Sequence, residues 1–289
     1  MTSVLGSLPR PRARTHKVAS IELAAGAALI LIIGAAALFG PFVQTHDPAE
    51  GNLLNRFVAS GSAGHLLGTD HLGRDIWSRL VAGLQWSMAC ALTVNVMNLF
   101  IGATLGMLAA ERPGPVRTFV RLVTDTIQSF PSLVVAIVVV VIVGHGFVPL
   151  VLTLGLLGWP VFMRVAYAEA TSIYTHDYVK AARIAGVSRF ATLFGHVLPG
   201  LRSSLMVVFA FHFATLLTTE SALSFLGLGA PIGVPTWGNM LAESRQFLLT
   251  RPGMLFVPAT AIIVTVIAAN LLGDGLAARA RKLGKGTEA

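Results

Sequence analysis

Residues 178–199 read YVKAARIAGVSRFATLFGHVLP, a polar stretch between two strongly apolar stretches in the second half of the chain. Thr175 or Asp177 is placed to cap a helix start, because a short side-chain oxygen accepts from the free N–H groups of the first turn. Residues 178–185 continue that helical pattern. The sequence therefore predicts a helix that begins close to Tyr178.

The end of this helix is marked by Gly186, which stands where a helix needs a left-handed residue after its last turn. Ser188 is placed to cap a second short helix, which we expect to end at Leu198-Pro199. The predicted shape is helix, tight turn and helix. Because the stretch is polar and its neighbours are apolar, we expect it to lie outside a bilayer, between two membrane spans.

The composition identifies an integral membrane protein. Hydrophobic residues make up 54% of the chain and charged residues 12%, with a mean hydropathy of +0.74, whereas soluble domains carry about a quarter charged residues. The apolar stretches are continuous rather than alternating, which favours helices over a β-barrel. The single cysteine, Cys90, lies within such a stretch and is predicted to be a buried apolar side chain.

Six stretches have the length and apolarity of a membrane-spanning helix. The predicted spans are residues 18–43, 88–110 (with a lead-in helix from residue 80), 126–146, 148–170, 202–227 and 252–273. Gly144-His145-Gly146 and Pro149 interrupt an uncharged stretch that is too long for one span, so we divide it into two spans with a tight turn between them. Asp125 is expected to cap a helix or to pair with Arg121.

The basic residues predict the orientation. Residues 1–17, 111–125, 164–202 and 274–289 alternate with the remaining loops in this six-span arrangement, and they contain 16 of the 21 Lys and Arg residues. Loops rich in Lys and Arg stay in the cytoplasm. Both termini and the stretch at residues 178–199 are therefore predicted to be cytoplasmic.

A second polar stretch, HLLGTDHLGRDIWSRL at residues 65–80, is dense in Gly, Asp and Arg and predicts a structured turn leading into a helix at Asp75. It closely resembles the GTDxxGRDxxSR stretch of the oligopeptide/dipeptide/nickel branch of ABC importer permeases. The matching residues are Gly68, Thr69, Asp70, Gly73, Arg74, Asp75, Ser78 and Arg79. We interpret them as a buried Asp–Arg hydrogen-bond cluster that fixes the loop, in preference to a substrate contact.

The stretch at residues 178–199 in turn resembles the "EAA" signature of ABC importer permeases. The matching residues are Ala181, Ala182, Gly186, Leu198 and Pro199, and Lys180 stands where the family has an acidic residue. In that family the segment is a coupling helix that docks onto an ATP-binding subunit. The resemblance therefore implies that Tyr178 and these five residues couple the chain to an ATPase.

Three shorter stretches resemble the same branch: ESALSFLGLG at residues 220–229, TWGNML at 236–241 and NLLGDGL at 270–276. Glu220 lies inside a predicted span, where a carboxylate is costly and usually faces a water-filled path or a partner. An interfacial glutamate bonded to nearby backbone is the equal alternative. His212 lies eight residues earlier, only loosely on the same helix face. Both are candidates for a translocation path, although such a histidine is more often a packing residue.

No catalytic or cofactor motif is found. The chain lacks a GxxxxGK[ST] phosphate loop, an HExxH motif, paired cysteines and a nucleophile elbow, so we predict that it is not an enzyme and binds no cofactor itself. His46, His65 and His71 lie in the predicted outer loop without metal-ligand spacing. We therefore interpret them as ordinary loop residues and predict no metal site.

The resemblance covers residues 65–275 and implies the second (C-type) permease subunit of a bacterial peptide-type ABC importer. It implies an all-α type I importer permease fold with six transmembrane helices in the cytoplasmic (inner) membrane. The implied partners are a second permease, two cytoplasmic ATPase subunits that bind ATP and Mg²⁺, and an external substrate-binding protein. No nucleic-acid partner is expected. In such importers nucleotide biases the switch between outward and inward access.

The predicted organisation follows from these assignments. It comprises a basic cytoplasmic tail at residues 1–17, a first transmembrane helix at 18–43, an external loop at 44–79, a permease core at 80–277 with the coupling helix at about 176–199, and a cytoplasmic tail at 278–289. Di- or oligopeptides are the leading substrate class, and nickel, glutathione or an opine-like compound remain open. A stand-alone secondary transporter or channel is the alternative class, and a non-transporting membrane scaffold is a third.

Overall fold

A computed structural model describes residues 16–112, 114–231 and 233–286, with side chains between residues 20 and 282. Most of the predicted basic tail lies outside these ranges, as do residues 287–289. The helices are α1 (His16–Leu38), α2 (Gly40–Val43), α3 (Ile76–Glu111), α4 (Pro115–Gln128), α5 (Ser132–Val143), α6 (Phe147–Ile173), α7 (Asp177–Ile184), α8 (Arg189–Thr192), α9 (Leu198–Phe225), α10 (Trp237–Ser244) and α11 (Gly253–Gly286). Two short 3₁₀ turns and one π-helical turn, Leu193–Val197, complete the regular structure in the described ranges.

The predicted helical membrane architecture is confirmed. Among the described residues, five continuous helical stretches are long and apolar enough to cross a bilayer: 20–38, 76–111, 147–173, 189–225 and 253–282. The helices α4 and α5 together provide a sixth span, although they meet at a bend of 87°. The described residues therefore contain six spans when this bent pair is counted as one span.

The third span differs from its prediction. We expected one span over residues 126–146, but residues 126–128 belong to α4 and the span resumes only at Ser132. Pro131 explains the break, because proline offers no N–H and drives the residue before it away from helical geometry. Pro131 itself has an extended ψ of 114°.

The fifth span begins earlier than predicted. The helix does not stop at Leu198-Pro199; α8 continues through the π-helical turn into α9, so that the helical stretch extends from Arg189 to Phe225. Pro199 is accommodated because it lies in the first turn of α9, where its missing N–H costs little. Elsewhere α1 ends at Leu38, short of the predicted boundary at residue 43, and α11 continues through the predicted tail to Gly286.

Glycines bring the long helices into close contact. A Cβ built on Gly102 would lie 2.4 Å from the carbonyl oxygen of Trp159, and one on Gly106 would lie 2.6 Å from that of Met163, so α3 and α6 pack backbone to backbone. The GxxxG spacing of these two glycines is the pattern that permits such contact between membrane helices. Gly26 makes an equally close contact with α11. The membrane body is thus held together by close helix packing.

Candidate functional site

The predicted helix start at Asp75 is present, and this carboxylate organises the loop that precedes α3. Its Oδ2 accepts the backbone N–H of Ser78 at 2.8 Å and the hydroxyl of Thr45 at 3.2 Å, while its Oδ1 lies 2.9 Å from Nδ1 of His65. Burial opposes ionisation, but the hydrogen bonds from Ser78, His65 and Thr45 outweigh it and lower the pKa of Asp75 below its usual value. Asp75 therefore ties three segments of the loop together as an anion.

A second carboxylate, Asp70, pairs with two buried arginines. Its Oδ2 accepts from Nε of Arg74 at 2.7 Å, and Nε of Arg79 lies 3.6 Å away. Glu243, from α10, closes the group, because its Oε2 accepts from Nη2 of Arg74 at 2.6 Å and of Arg79 at 2.9 Å. A buried Asp–Arg hydrogen-bond cluster, as expected, is thus present, formed by Asp70 with Arg74 within a larger network that joins the loop to α10.

The two motif glycines adopt conformations that other residues avoid. Gly68 and Gly73 have φ values of +77° and +74°. A Cβ on Gly73 would also overlap the carbonyl oxygen of Asn52. Between these glycines, the buried hydroxyl of Thr69 accepts the N–H of Val58 at 2.8 Å and donates to Asn55. All eight matching residues therefore meet in one folded loop at the start of α3.

The polar segment at residues 177–199 has the predicted turn. Gly186 has a φ of +81°, in the left-handed region, and the hydroxyl of Ser188 accepts the N–H of Ala191 at 3.3 Å to cap α8. The predicted cap of the first helix is wrong. His176 occupies the capping position of α7, and its side chain makes no capping bond. Thr175 does not cap the helix, because its hydroxyl donates to the carbonyl of Ser172.

The residues of this segment separate into an exposed set and an anchoring set. Tyr178 and Ala181 are exposed, and Ile184 and Phe190 keep 88% and 77% of their surface. The anchors are Val179, which is fully buried, and Leu198, which packs in the same apolar cluster; Ala182 and Pro199 are partly buried. The segment is therefore held firmly to the membrane body and presents an apolar, uncovered tip.

Basic side chains surround this tip. Lys180, which stands where the family has an acidic residue, lies 3.1 Å from the carboxylate of Asp177, and both side chains are largely exposed. The guanidinium of Arg183 stacks 4.4 Å from the ring centre of Tyr174, and Arg189 is also exposed. Arg189 also lies 3.9 Å from the carboxylate of Glu111. Because exposed ion pairs contribute little to stability, a partner can compete for these cations at low cost.

The two path candidates lie in different places. Glu220 is fully buried and accepts the hydroxyl of Ser224 at 2.8 Å, within its own helix. Its other carboxylate oxygen lies 3.4 Å from the hydroxyl of Ser221, so side-chain hydroxyls hold this carboxylate. His212 instead lines a groove of about 920 Å³ between α4, α5, α6 and α9, and its Nδ1 lies 2.9 Å from Oδ1 of Asn95. Of the two, His212 is the one that lines this groove.

The same groove contains an ion pair that differs from the predicted one. Asp125 pairs with Arg164 of α6 at 2.9 Å, not with Arg121. Arg121 lies instead over the ring of Tyr167, 6.0 Å from its centre. Pairing across the groove is possible because the bend after α4 brings its C-terminal end beside α6.

Sequence reasoning missed two side chains that complete these sites. Glu243 lies two residues after the TWGNML stretch and is the carboxylate that balances Arg74 and Arg79 together with Asp70. Two loop arginines beside Asp70, with Asp75 placed to cap a helix, were the available signal. The second missed side chain is that of His46. Its ring stacks on the ring of His65, with centres 4.4 Å apart, although the two residues are 19 positions apart in the sequence.

Comparison with known proteins places the chain among transport components. Residues 102–282 match the family described as "Binding-protein-dependent transport system inner membrane component". The chain is 35% identical over 256 residues to the glutathione transport system permease protein GsiD of Pectobacterium atrosepticum, covering 89% of this chain and 85% of that protein.

Two further relatives have similar coverage. The chain is 35% identical over 256 residues to the di/tripeptide transport system permease protein DppC of Pseudomonas aeruginosa, covering 87% of this chain and 84% of that protein. It is 31% identical over 265 residues to the oligopeptide transport system permease protein OppC of Bacillus subtilis, covering 92% and 85%. The similarity thus includes the external loop, the polar segment and the membrane body.

Proposed function

We propose a mechanism for this chain, which belongs to the family of binding-protein-dependent transport system inner membrane components. It is the permease subunit of an ABC importer in the bacterial inner membrane, and its relatives identify peptides as the substrate class. We infer how the subunit is driven by its partners and where the peptide passes through it. A stand-alone secondary transporter, a channel and a scaffold are not favoured by this family membership.

The segment at residues 177–199 receives the motion that ATP binding produces in a partner subunit. The tip of this segment is the observation that supports the step. Ile184 and Phe190 are exposed there beside basic side chains, while Val179 anchors the same segment in the membrane body. An apolar patch with a charged rim is typical of a protein interface. The partner is an ATPase subunit. The loops on the side of this tip contain 16 of the 21 Lys and Arg residues, which supports a cytoplasmic position, where ATP is available.

The remaining subunits complete the importer. Two ATPase subunits bind ATP with Mg²⁺ and hydrolyse it, while this chain supplies no catalytic group or cofactor. A second permease faces the groove beside His212, since one bundle of six spans with a bent member leaves that groove open on one side. A binding protein delivers the peptide to the external loops. ATP binding closes the ATPase pair, and the anchored segment passes this motion to the spans as a rigid-body shift.

Cross-linking tests the docking surface. In a Cys90→Ala background, Ile184→Cys is expected to cross-link to a co-purifying ATPase subunit, because Ile184 is exposed at the tip of the segment. Val148→Cys is the matched control, since Val148 is also exposed but lies at the opposite end of α6. Purification of the full chain without an ATPase, or equal cross-linking of both variants, would refute the proposed function.

Thiol labelling tests the path. In the same background, Thr215→Cys is expected to react with a hydrophilic thiol reagent at least about tenfold faster than Leu152→Cys, because the reactive thiolate forms in water and not in lipid. Both side chains are exposed on the isolated chain, but only Thr215 lines the groove. Equal and slow labelling of both cysteines in intact membranes would show that the groove carries no water-filled path.

A further inference from the structure

The external loop contains a cluster of metal-ligating side chains that the transport mechanism does not use. His46, His65 and Asp75 each offer one donor atom, and these three atoms all lie within 4.8 Å of one another. We propose that they form a binding site for a divalent transition-metal cation, of which Zn²⁺ is the best match. This proposal does not depend on the roles assigned to the groove or to the polar segment.

The spacing of the donor atoms fits such a cation. Oδ1 of Asp75 lies 2.9 Å from Nδ1 of His65 and 3.9 Å from Nδ1 of His46. Zn²⁺ binds imidazole nitrogen and carboxylate oxygen at about 2.0–2.2 Å, which places tetrahedral ligands about 3.3 Å apart. The two observed distances lie on either side of this value. The ring of His46, which stacks on that of His65 and has its Nδ1 3.0 Å from the hydroxyl of Thr45, has to rotate to bring the three atoms onto one cation.

Asp75 can bind the cation without giving up its structural role, because its two oxygens are used separately. Oδ2 caps α3 through Ser78 and accepts from Thr45, whereas Oδ1 faces only the two imidazoles. Without metal, the contact between His65 and Oδ1 is an ordinary hydrogen bond. A cation that binds Nδ1 takes the place of its proton, which moves through water to Nε2, so that the ligand is the neutral imidazole that metal binding requires.

The cation has a route of entry and an open coordination position. The side chain of His46 is 41% exposed, while those of His65 and Asp75 are 8% and 0% exposed. A site with two histidines and one carboxylate leaves the fourth tetrahedral position for water or for another ligand. Binding would clamp the segment around His46 to the start of α3, so we expect it to stabilise the external loop.

A neighbouring group of similar composition does not qualify. Asp70, His71 and Glu243 also lie close together. Both carboxylates already accept from the buried guanidiniums of Arg74 and Arg79. A divalent cation there would meet two positive charges at close range. The inference therefore concerns the first cluster alone.

The test is titration of the full chain, purified with its co-isolating subunits, freed of any histidine tag and treated with a chelator. We expect saturable binding of Zn²⁺ by calorimetry, a Zn²⁺-dependent rise in melting temperature, and a tetrahedral absorption spectrum with Co²⁺. His46→Ala should weaken the affinity by at least about tenfold. Because His46 is exposed, this variant should fold normally.

His145→Ala is the matched control, because His145 is exposed in another outer turn and lies outside the cluster. We expect it to bind Zn²⁺ as the unmodified chain does. His46→Gln keeps a polar side chain and should lose the metal as His46→Ala does. Absence of saturable binding to the unmodified chain would overturn the proposal, and so would unchanged affinity in both His46 variants.

Discussion

Replacing Gly186 with Val is expected to reduce peptide uptake at least tenfold while the subunit remains folded and assembled. The φ of +81° at Gly186 lies in the left-handed region, which costs a residue with a Cβ about 1–2 kcal/mol and is worse for a β-branched one. No heavy atom lies within 4 Å of an added Cβ, so steric overlap plays no part. The backbone relieves the strain by changing φ, which turns α7 away from α8.

This change affects coupling because the ATPase touches the tip that the turn positions. We expect uptake by reconstituted vesicles to fall at least tenfold, which corresponds to about 1.4 kcal/mol of lost coupling. ATP hydrolysis should continue without transport, and membrane abundance should be unchanged. Parallel measurements of uptake and of phosphate release separate this result from a general loss of folding.

Two variants control the interpretation. Gly195→Ala, in the same segment, also places a Cβ in open space but at an ordinary φ, so uptake should be nearly normal. Gly186→Asn should retain more uptake than Gly186→Val, since asparagine tolerates the left-handed region. Normal uptake by Gly186→Val would show that the turn does not transmit force.

The helices were predictable because hydropathy is a local property, whereas their breaks depend on backbone chemistry. Gly186 and Ser188 were assigned correctly from single residue types, since a left-handed turn and a helix cap each need particular side chains. The bend at Pro131 was missed because the apolar stretch continues beyond it. The helix end predicted at Leu198-Pro199 is absent, because a proline disrupts a helix when it lies beyond the first turn and Pro199 lies in the first turn of α9.

In the loop that precedes α3, the motif alone did not predict contacts with residues that lie far away in the sequence. Asp70 and Arg74 are four residues apart, so their hydrogen bond was predictable from the sequence. Glu243 is 169 residues from Arg74, and its contact depends on how α10 packs against the loop. The stacking of His46 on His65 is of the same kind. Spacing along the chain therefore did not reveal the candidate metal site, because folding brings its ligands together.

Replacing Asp70 with Ala is expected to destabilise the chain by about 3–5 kcal/mol, as is typical when one partner of a buried ion pair is removed. The side chains of Arg74 and Arg79 are only 9% and 3% exposed. Without Asp70, two buried guanidiniums would share Glu243 as their carboxylate. The backbone N–H groups of Leu72 and Arg74 would also lose their acceptor.

The measurement is the melting temperature of the full chain purified with its partner subunits, together with its abundance in the membrane. Asp47→Ala is the matched control, because Asp47 is an exposed carboxylate of the same loop that accepts one backbone N–H, from Ala49. Its loss should cost about 1 kcal/mol. Asp70→Asn should fall between the two, since an amide oxygen can still accept the N–H groups of Leu72 and Arg74 but carries no charge for the guanidiniums. If Asp70→Ala melted at the same temperature as Asp47→Ala, the network would be dispensable for folding, and the loop would have to be held by Asp75 and the two glycines alone.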